Sequence, residues 1–228
     1  MLALEQNALE VPNYGLFEAA KFFHIPASTV SYWAHEERLV KAAAPRGLSF
    51  KNMVEFYVIK GLRELHHVSP HEIRRAIRYM RKKRDSKHPF ADYRIVTDGK
   101  WVLFYDEDEQ LENASLAGQF EMETVVRTYL HRVDRTPTGL ATRIFPYTRK
   151  EQLRAETDPP RLVVIDPNIR SGLPVINGSR LTTSILASRM QGGDSVSVLA
   201  KSYGRSTTEI KEAVEWELGR ELTGVEAA

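Results

Sequence analysis

The 228-residue chain has no cysteine, no apolar run near the length of a membrane span and no excess of one charge. Each absence removes a class of protein. Without a thiol there is no disulfide scaffold, no cysteine nucleophile and no zinc site with a thiolate ligand. A bilayer crossing needs about 20 consecutive apolar residues, so no membrane partner is expected. Met1–Glu10 holds two acids and no base, which is unlike a secretory signal. A cytoplasmic location is the expectation. No glycine-rich phosphate loop, nucleophile elbow or zinc-protease motif is present. A protein that is not an enzyme is expected, with no catalytic residues, cofactor or metal.

What is there is an ordinary globular composition, 42% hydrophobic and 27% charged, long enough for one large domain or two modest ones. The net charge of +2 hides an asymmetry. Residues 1–88 carry 15 Lys and Arg against 9 Asp and Glu; residues 89–160 carry 9 against 13; residues 161–228 carry 8 against 8. A basic head followed by modules for another partner fits nucleic-acid binding at the N-terminus.

The patterning predicts three segments: a DNA-binding domain over 1–88, a middle α+β segment and linker over 89–160, and a β-hairpin plus three helices over 161–228. Leu16, Ala19, Ala20 and Phe23 repeat at helical spacing, and a second short helix follows Pro26 with Val30 and Trp33 apolar. A helix is predicted over about Phe50–His66. Ser69-Pro70-His71-Glu72 caps another that runs into Arg81–Arg84. Arg94–Tyr105 reads as a hairpin about Asp98-Gly99. Phe120–Val133 reads as a helix, Asp134–Thr142 as a loop and Thr142–Tyr147 as a short strand, with 155–160 as linker. At the end come a strand Leu162–Ile165, a hairpin about Asn177-Gly178 and helices from Ser184, from an Asp194 cap and from the Ser206–Glu209 capping box. The expected fold is mainly α with small β-hairpins.

The first helical pair has helix-turn-helix spacing. Small residues, Ala19 and Ala20, suit a close crossing; Ile25, Val30 and Trp33 would hold the second helix. Ser28, Thr29, Ser31, Tyr32 and His35 are left outward, where such a face can enter the major groove. A plain helical hairpin with a polar face is the alternative. His24 stands where a tight turn needs a left-handed backbone, which histidine tolerates. Arg74–Lys87 holds eight bases and one acid; Arg74 and Arg78 are candidates for phosphate contact, against a solvated helix end favoured by the macrodipole. Trp101–Glu123 carries seven acids and no base. Consecutive acids such as Asp106–Glu109 do not converge as a metal site requires, so a solvated loop, or a surface for a basic partner, is expected. His66, His67 and His71 lack a spaced third ligand.

Leu16-Phe17-Glu18-Ala19-Ala20-Lys21 and Ile25-Pro26-Ala27-Ser28-Thr29-Val30-Ser31-Tyr32-Trp33 resemble the MerR-like and excisionase-like winged helix-turn-helix, over about residues 13–82. The resemblance implies groove reading by Ser28–His35, with Lys41 and Arg46 on a wing near phosphates. The long coiled coil and the sensing cysteines of MerR regulators are missing. Val164-Ile165-Asp166-Pro167 through Pro174-Val175-Ile176-Asn177-Gly178-Ser179-Arg180 resembles a small bacterial antitoxin domain long catalogued as of unknown function, over about 162–217. Ser179 and Leu173 depart from its usual threonine and lysine. Together the two ends resemble a VapB-type antitoxin of a type II toxin–antitoxin pair. That resemblance implies an antitoxin that neutralises a cognate PIN-like ribonuclease toxin and represses its own operon through operator DNA. Arg170 and Arg180 are candidate toxin contacts, or arginines that stabilise the hairpin. Ile210, Val214 and Trp216 are candidate homodimer contacts, or core. A dimer is expected because one helix-turn-helix covers only a half-site. The rival expectations are a stand-alone MerR-like regulator that senses a ligand in its middle segment, and a hydrolase that uses the acidic cluster.

Overall fold

Helix α1 (Leu16–Phe22) starts at Gly15, whose N–H donates to Glu18 Oε2 at 2.7 Å. This is one turn's orphan donor satisfied by an acid at the helix start. The computed structural model describes residues 8–45, 47–64, 66–97, 100–105, 111–114, 119–120, 132–147 and 159–219. The chain divides into two units, Met1–Ile144 and Phe145–Ala228.

In the first unit, α1 leads through a tight turn into α2 (Ala27–Ser31). His24 sits at φ 50°, as the turn demands, and Ile25 N–H closes it on Ala20 O at 2.9 Å. Pro26 lies one residue earlier than its predicted first helical position; it is the N-cap. The helix then widens to a π-helical turn, Tyr32–Glu36. The unit's core is built on α3 (Phe50–Glu64), where Met53, Val54, Phe56, Val58, Ile59 and Leu62 are all fully buried. Trp33 stacks on Phe56 with ring centroids 6.3 Å apart. α4 (Pro70–Lys83) starts at the predicted cap: Ser69 Oγ accepts from Glu72 N–H. Its Ile73, Ala76, Ile77 and Met80 are buried, the one apolar stripe that a 3.6-residue period allows.

A short α5 (Pro89–Asp92) precedes a four-stranded antiparallel sheet. Its strands are β1 (Ile95–Thr97), β2 (Val102–Tyr105), β3 (Leu111–Asn113) and β4 (Gln119–Phe120), in that order. β1 and β2 pair Thr97 with Val102, the register of the expected hairpin; its Asp98-Gly99 turn lies outside the described residues.

Two expectations here are corrected. Phe120 is a strand residue and Val133 begins another strand; residues 121–131 of the expected helix lie outside the described residues. The expected loop 134–142 is a hairpin, β5 (Val133–Arg135) against β6 (Ala141–Ile144). Its physical cause is distant in sequence. Arg135, half-buried, donates to Phe90 O at 2.9 Å, Ala91 O at 3.0 Å and Gly139 O at 2.7 Å, which ties the hairpin to α5. Burial pulls that guanidinium down to about 9.

In the second unit, β7 (Val163–Val164) pairs antiparallel with β8 (Val175–Ile176). The turn at Asn177-Gly178 forms, with Gly178 at φ 72°, but the returning strand contributes a single bridge, Thr182 to Val175. Three helices follow: α6 (Thr183–Gln191), α7 (Val196–Tyr203) and α8 (Thr207–Leu218). The cap of α7 is Ser195, whose hydroxyl accepts from Val198 N–H, in place of the expected Asp194. Asp194 instead accepts from Arg189 Nε at 2.6 Å. Gly204 closes α7 at φ 62°, and the Ser206–Glu209 capping box opens α8 as predicted. The fold is thus mixed, helices with small antiparallel sheets. None of the described helices is long and apolar enough to cross a membrane.

Candidate nucleic-acid interface

The polar face of α2 and the π-turn is presented to solvent. Ser28, Tyr32 and His35 are exposed, while Thr29 and Ser31 are half-buried. Val30, Ala34 and the alanines of α1 hold the opposite face in the core. Lys41 is exposed. Arg46 lies outside the described residues. The expected wing shows the bridges Ala44–Gly47 and Tyr14–Leu48 among the described residues.

Tyr32 is not a free side chain. Its hydroxyl donates to Glu37 Oε1, and this contact pushes the phenol up. Glu37 Oε2 in turn takes Arg74 Nη1 at 2.8 Å. One carboxylate thereby joins the groove-helix candidate to α4.

The basic run divides into two kinds of residue. Arg75 pairs with Glu72 at 3.4 Å, and Arg81 donates to the carbonyls of Arg38 at 3.1 Å and Leu39 at 2.8 Å. Arg84 and Lys83 lie 3.0 and 3.5 Å from Glu112, which also accepts from Tyr79 OH. Arg78 and Lys82 are exposed and have no ion pair among the described residues. The stretch expected to be a solvated helix end or a phosphate-contacting surface is therefore mostly internal wiring; Arg78, Lys82 and Lys87 are its exposed cations without an ion pair among the described residues.

The acidic stretch is corrected in the same way. Glu112 is 1% exposed, a buried counter-ion of α4 and no part of a solvated loop. Asp106–Glu109 lie outside the described residues.

The loop that carries Lys41 is held from beneath by Asn52, which is wholly buried. Its Oδ1 accepts from Ala43 N–H and Ser49 N–H, both at 3.0 Å, and its Nδ2 donates to Lys41 O at 2.8 Å. Beside it, Glu55 Oε2 lies 3.0 Å from His88 Nδ1 and 3.3 Å from Asn52 Nδ2. Burial pushes the Glu55 carboxyl up. Sequence reasoning missed Glu37, Asn52, Glu55 and Glu112. For Asn52 and Glu55 a signal existed: polar residues within the mostly apolar run Phe50–Ile59. No group of metal-ligating side chains stands together among the described residues.

In the second unit Arg170 and Arg180 are exposed and adjacent, Arg170 Nε donating to Arg180 O at 3.0 Å. Arg170 and Ser171 both adopt positive φ, 51° and 55°. The expectation for Ile210, Val214 and Trp216 is corrected. They are 0%, 0% and 2% exposed, core residues of the chain itself, and they offer no face to a second copy.

Residues 163–216 match a family described as a protein of unknown function, DUF433. The chain is also similar along most of its length to a Mycobacterium tuberculosis protein named "Putative antitoxin VapB45". The two are 24% identical over 235 residues, 90% of this chain and 94% of that protein. Among solved structures, the X-ray crystal structure of Rv2018 from Mycobacterium tuberculosis superposes with a TM-score of 0.63 at 21% identity, covering 90% of this chain and 98% of that one. At that identity the likeness is one of fold.

Proposed function

We propose that the chain is an antitoxin-type regulator. The observation that carries this reading is the extent of the similarity: it runs across 90% of this chain and 94% of a protein that bears an antitoxin name, well beyond the DUF433 segment. The N-terminal region binds operator DNA through Ser28, Thr29, Ser31, Tyr32 and His35, with Lys41, Arg46 and Arg78 at phosphates. The exposed polar face of α2, backed by a packed core, supports it. The partner is a PIN-like ribonuclease toxin, and Arg170 and Arg180 contact it. PIN-like sites cluster carboxylates about divalent metal, and an exposed arginine pair brought together from two neighbouring turns complements such a site. Two copies read two half-sites about 34 Å apart. The chain itself catalyses nothing.

Co-expression with the neighbouring gene product tests the toxin half: a stable complex and loss of ribonuclease activity are expected, and free elution of the two proteins refutes it. Operator footprinting tests the DNA half. Ser28→Glu places a carboxylate on the outward face and should abolish specific protection in a folded chain, since one lost base contact costs about 1–3 kcal/mol and the added charge repels phosphate.

A further inference from the structure

Winding decides which side chains meet at the end of the groove-helix candidate. In an α-helix Tyr32 would stack over residues three and four ahead. Here the turn is π-helical, and Glu37 N–H bonds to Tyr32 O at 2.9 Å, five residues back. That extra residue brings Glu37 beneath Tyr32. Single π-turns of this kind concentrate at functional sites. The carboxylate is then fully used: Oε1 takes the Tyr32 hydroxyl and Oε2 takes Arg74 Nη1. On α4, Arg74, Arg78 and Arg81 follow at four- and three-residue spacing and share one face. Arg74 and Arg81 anchor that face to Glu37 and to the carbonyls of Arg38 and Leu39. Arg78 between them is exposed.

Tyrosine and arginine are both donors of the kind that bind backbone phosphates. A carboxylate held by two such donors offers them two anionic oxygens, as a phosphate does. Tyr32 is 44% exposed and the Arg74 side chain 34%, so both are open to a ligand from solvent. We propose that Glu37 is an internal phosphate mimic: it clasps Tyr32 and Arg74 in the free chain and yields them to a nucleic-acid backbone phosphate on binding. Interface affinity is thereby held below what its cations allow, and Arg78 marks where the strand first engages. This rests on the DNA-binding reading above.

The test is fluorescence anisotropy with a short labelled duplex of random sequence, titrated across a salt series. Glu37→Asp keeps the charge but shortens the reach, so it cannot hold both donors. It should bind several-fold tighter than wild type with the slope of log affinity against log salt little changed, because both chains end with the same phosphate contacts and differ only in the clasp that is broken. Glu37→Gln should gain at least as much. Glu36→Gln removes the same charge from an exposed neighbour outside the clasp and should gain little. Equal gains for Glu36→Gln and Glu37→Gln, with none for Glu37→Asp, reduce the effect to net charge and overturn the proposal. So does unchanged or weaker binding by folded Glu37 variants. If both Glu37 variants fail to fold, the clasp is a structural tie and the proposal is likewise wrong. A wild-type chain that does not bind the duplex removes the DNA reading as well; a wild type that binds, with no gain in the variants, removes the mimic alone.

Discussion

Asn52→Leu nearly preserves volume and removes every polar contact beneath the Lys41 loop. Ser49 is fully buried, so its N–H, now 3.0 Å from Asn52 Oδ1, loses its partner without gaining water. That costs about 1–3 kcal/mol. Ala43 N–H and Lys41 O belong to exposed residues and can turn to solvent, so each loses only the net worth of a bond, about 1 kcal/mol. The total is about 3–5 kcal/mol. With a urea slope of about 1–3 kcal/mol/M, the unfolding midpoint should fall by about 1–5 M. Duplex affinity should fall as well, since Lys41 rides on the loosened loop. Asn52→Asp provides a second check. The new carboxylate can still accept from both N–H groups but cannot donate to Lys41 O, and it sits beside Glu55 Oε2, which is 3.3 Å from the native amide nitrogen. Two such carboxylates resist joint ionisation, so this variant should lose further stability as pH rises through the carboxylate range. An Asn52→Leu midpoint within about 0.3 M of wild type, with unchanged affinity, would refute the assignment of Asn52 as the loop's anchor.

The raised Glu55 carboxyl gives a pH signature. A group whose folded pKa lies above its ordinary 4.5 contributes stability below that value, lost as pH rises through the folded pKa. Glu55→Gln mimics the protonated form, so wild type should lose stability relative to Glu55→Gln as pH rises above 4.5, measured by paired urea melts; a gap of the opposite sign contradicts it. Ile210→Ala should cost about 2–5 kcal/mol as a core truncation while leaving sedimentation in the folded range unchanged; a selective loss of dimer would restore the surface reading. Glu112→Gln leaves Arg84 half-buried beside a neutral amide and should cost about 1–2 kcal/mol, discounted because Lys83 is solvated. A loss below about 0.3 kcal/mol, by thermal melting, would show that the pairing with α4 contributes nothing.

The features legible in the sequence were local. The Ser69 and Ser206 caps and the left-handed His24 turn each depend on residues within one or two turns of one another. The capping error at Asp194 and Ser195 is a one-residue slip between two good cap types. The hairpin of β5 and β6 was illegible because its anchor, Arg135, bonds to carbonyls of Phe90 and Ala91, more than 40 positions earlier.

By itself, then, the sequence determined the N-terminal concentration of positive charge, the placement of most helices and the outward polar face of Ser28, Tyr32 and His35. Tertiary structure alone decided which charges are spent inside the fold. Glu37 meets Arg74 across 37 positions, Glu112 meets Arg84 across 28, and Asn52 meets His88 across 36. A run of arginines states how much charge a helix carries, and pairing through space states how much of it remains for a ligand. The same holds for Ile210, Val214 and Trp216. Their types mark them for burial, but only the packing of the chain reveals that the chain itself buries them.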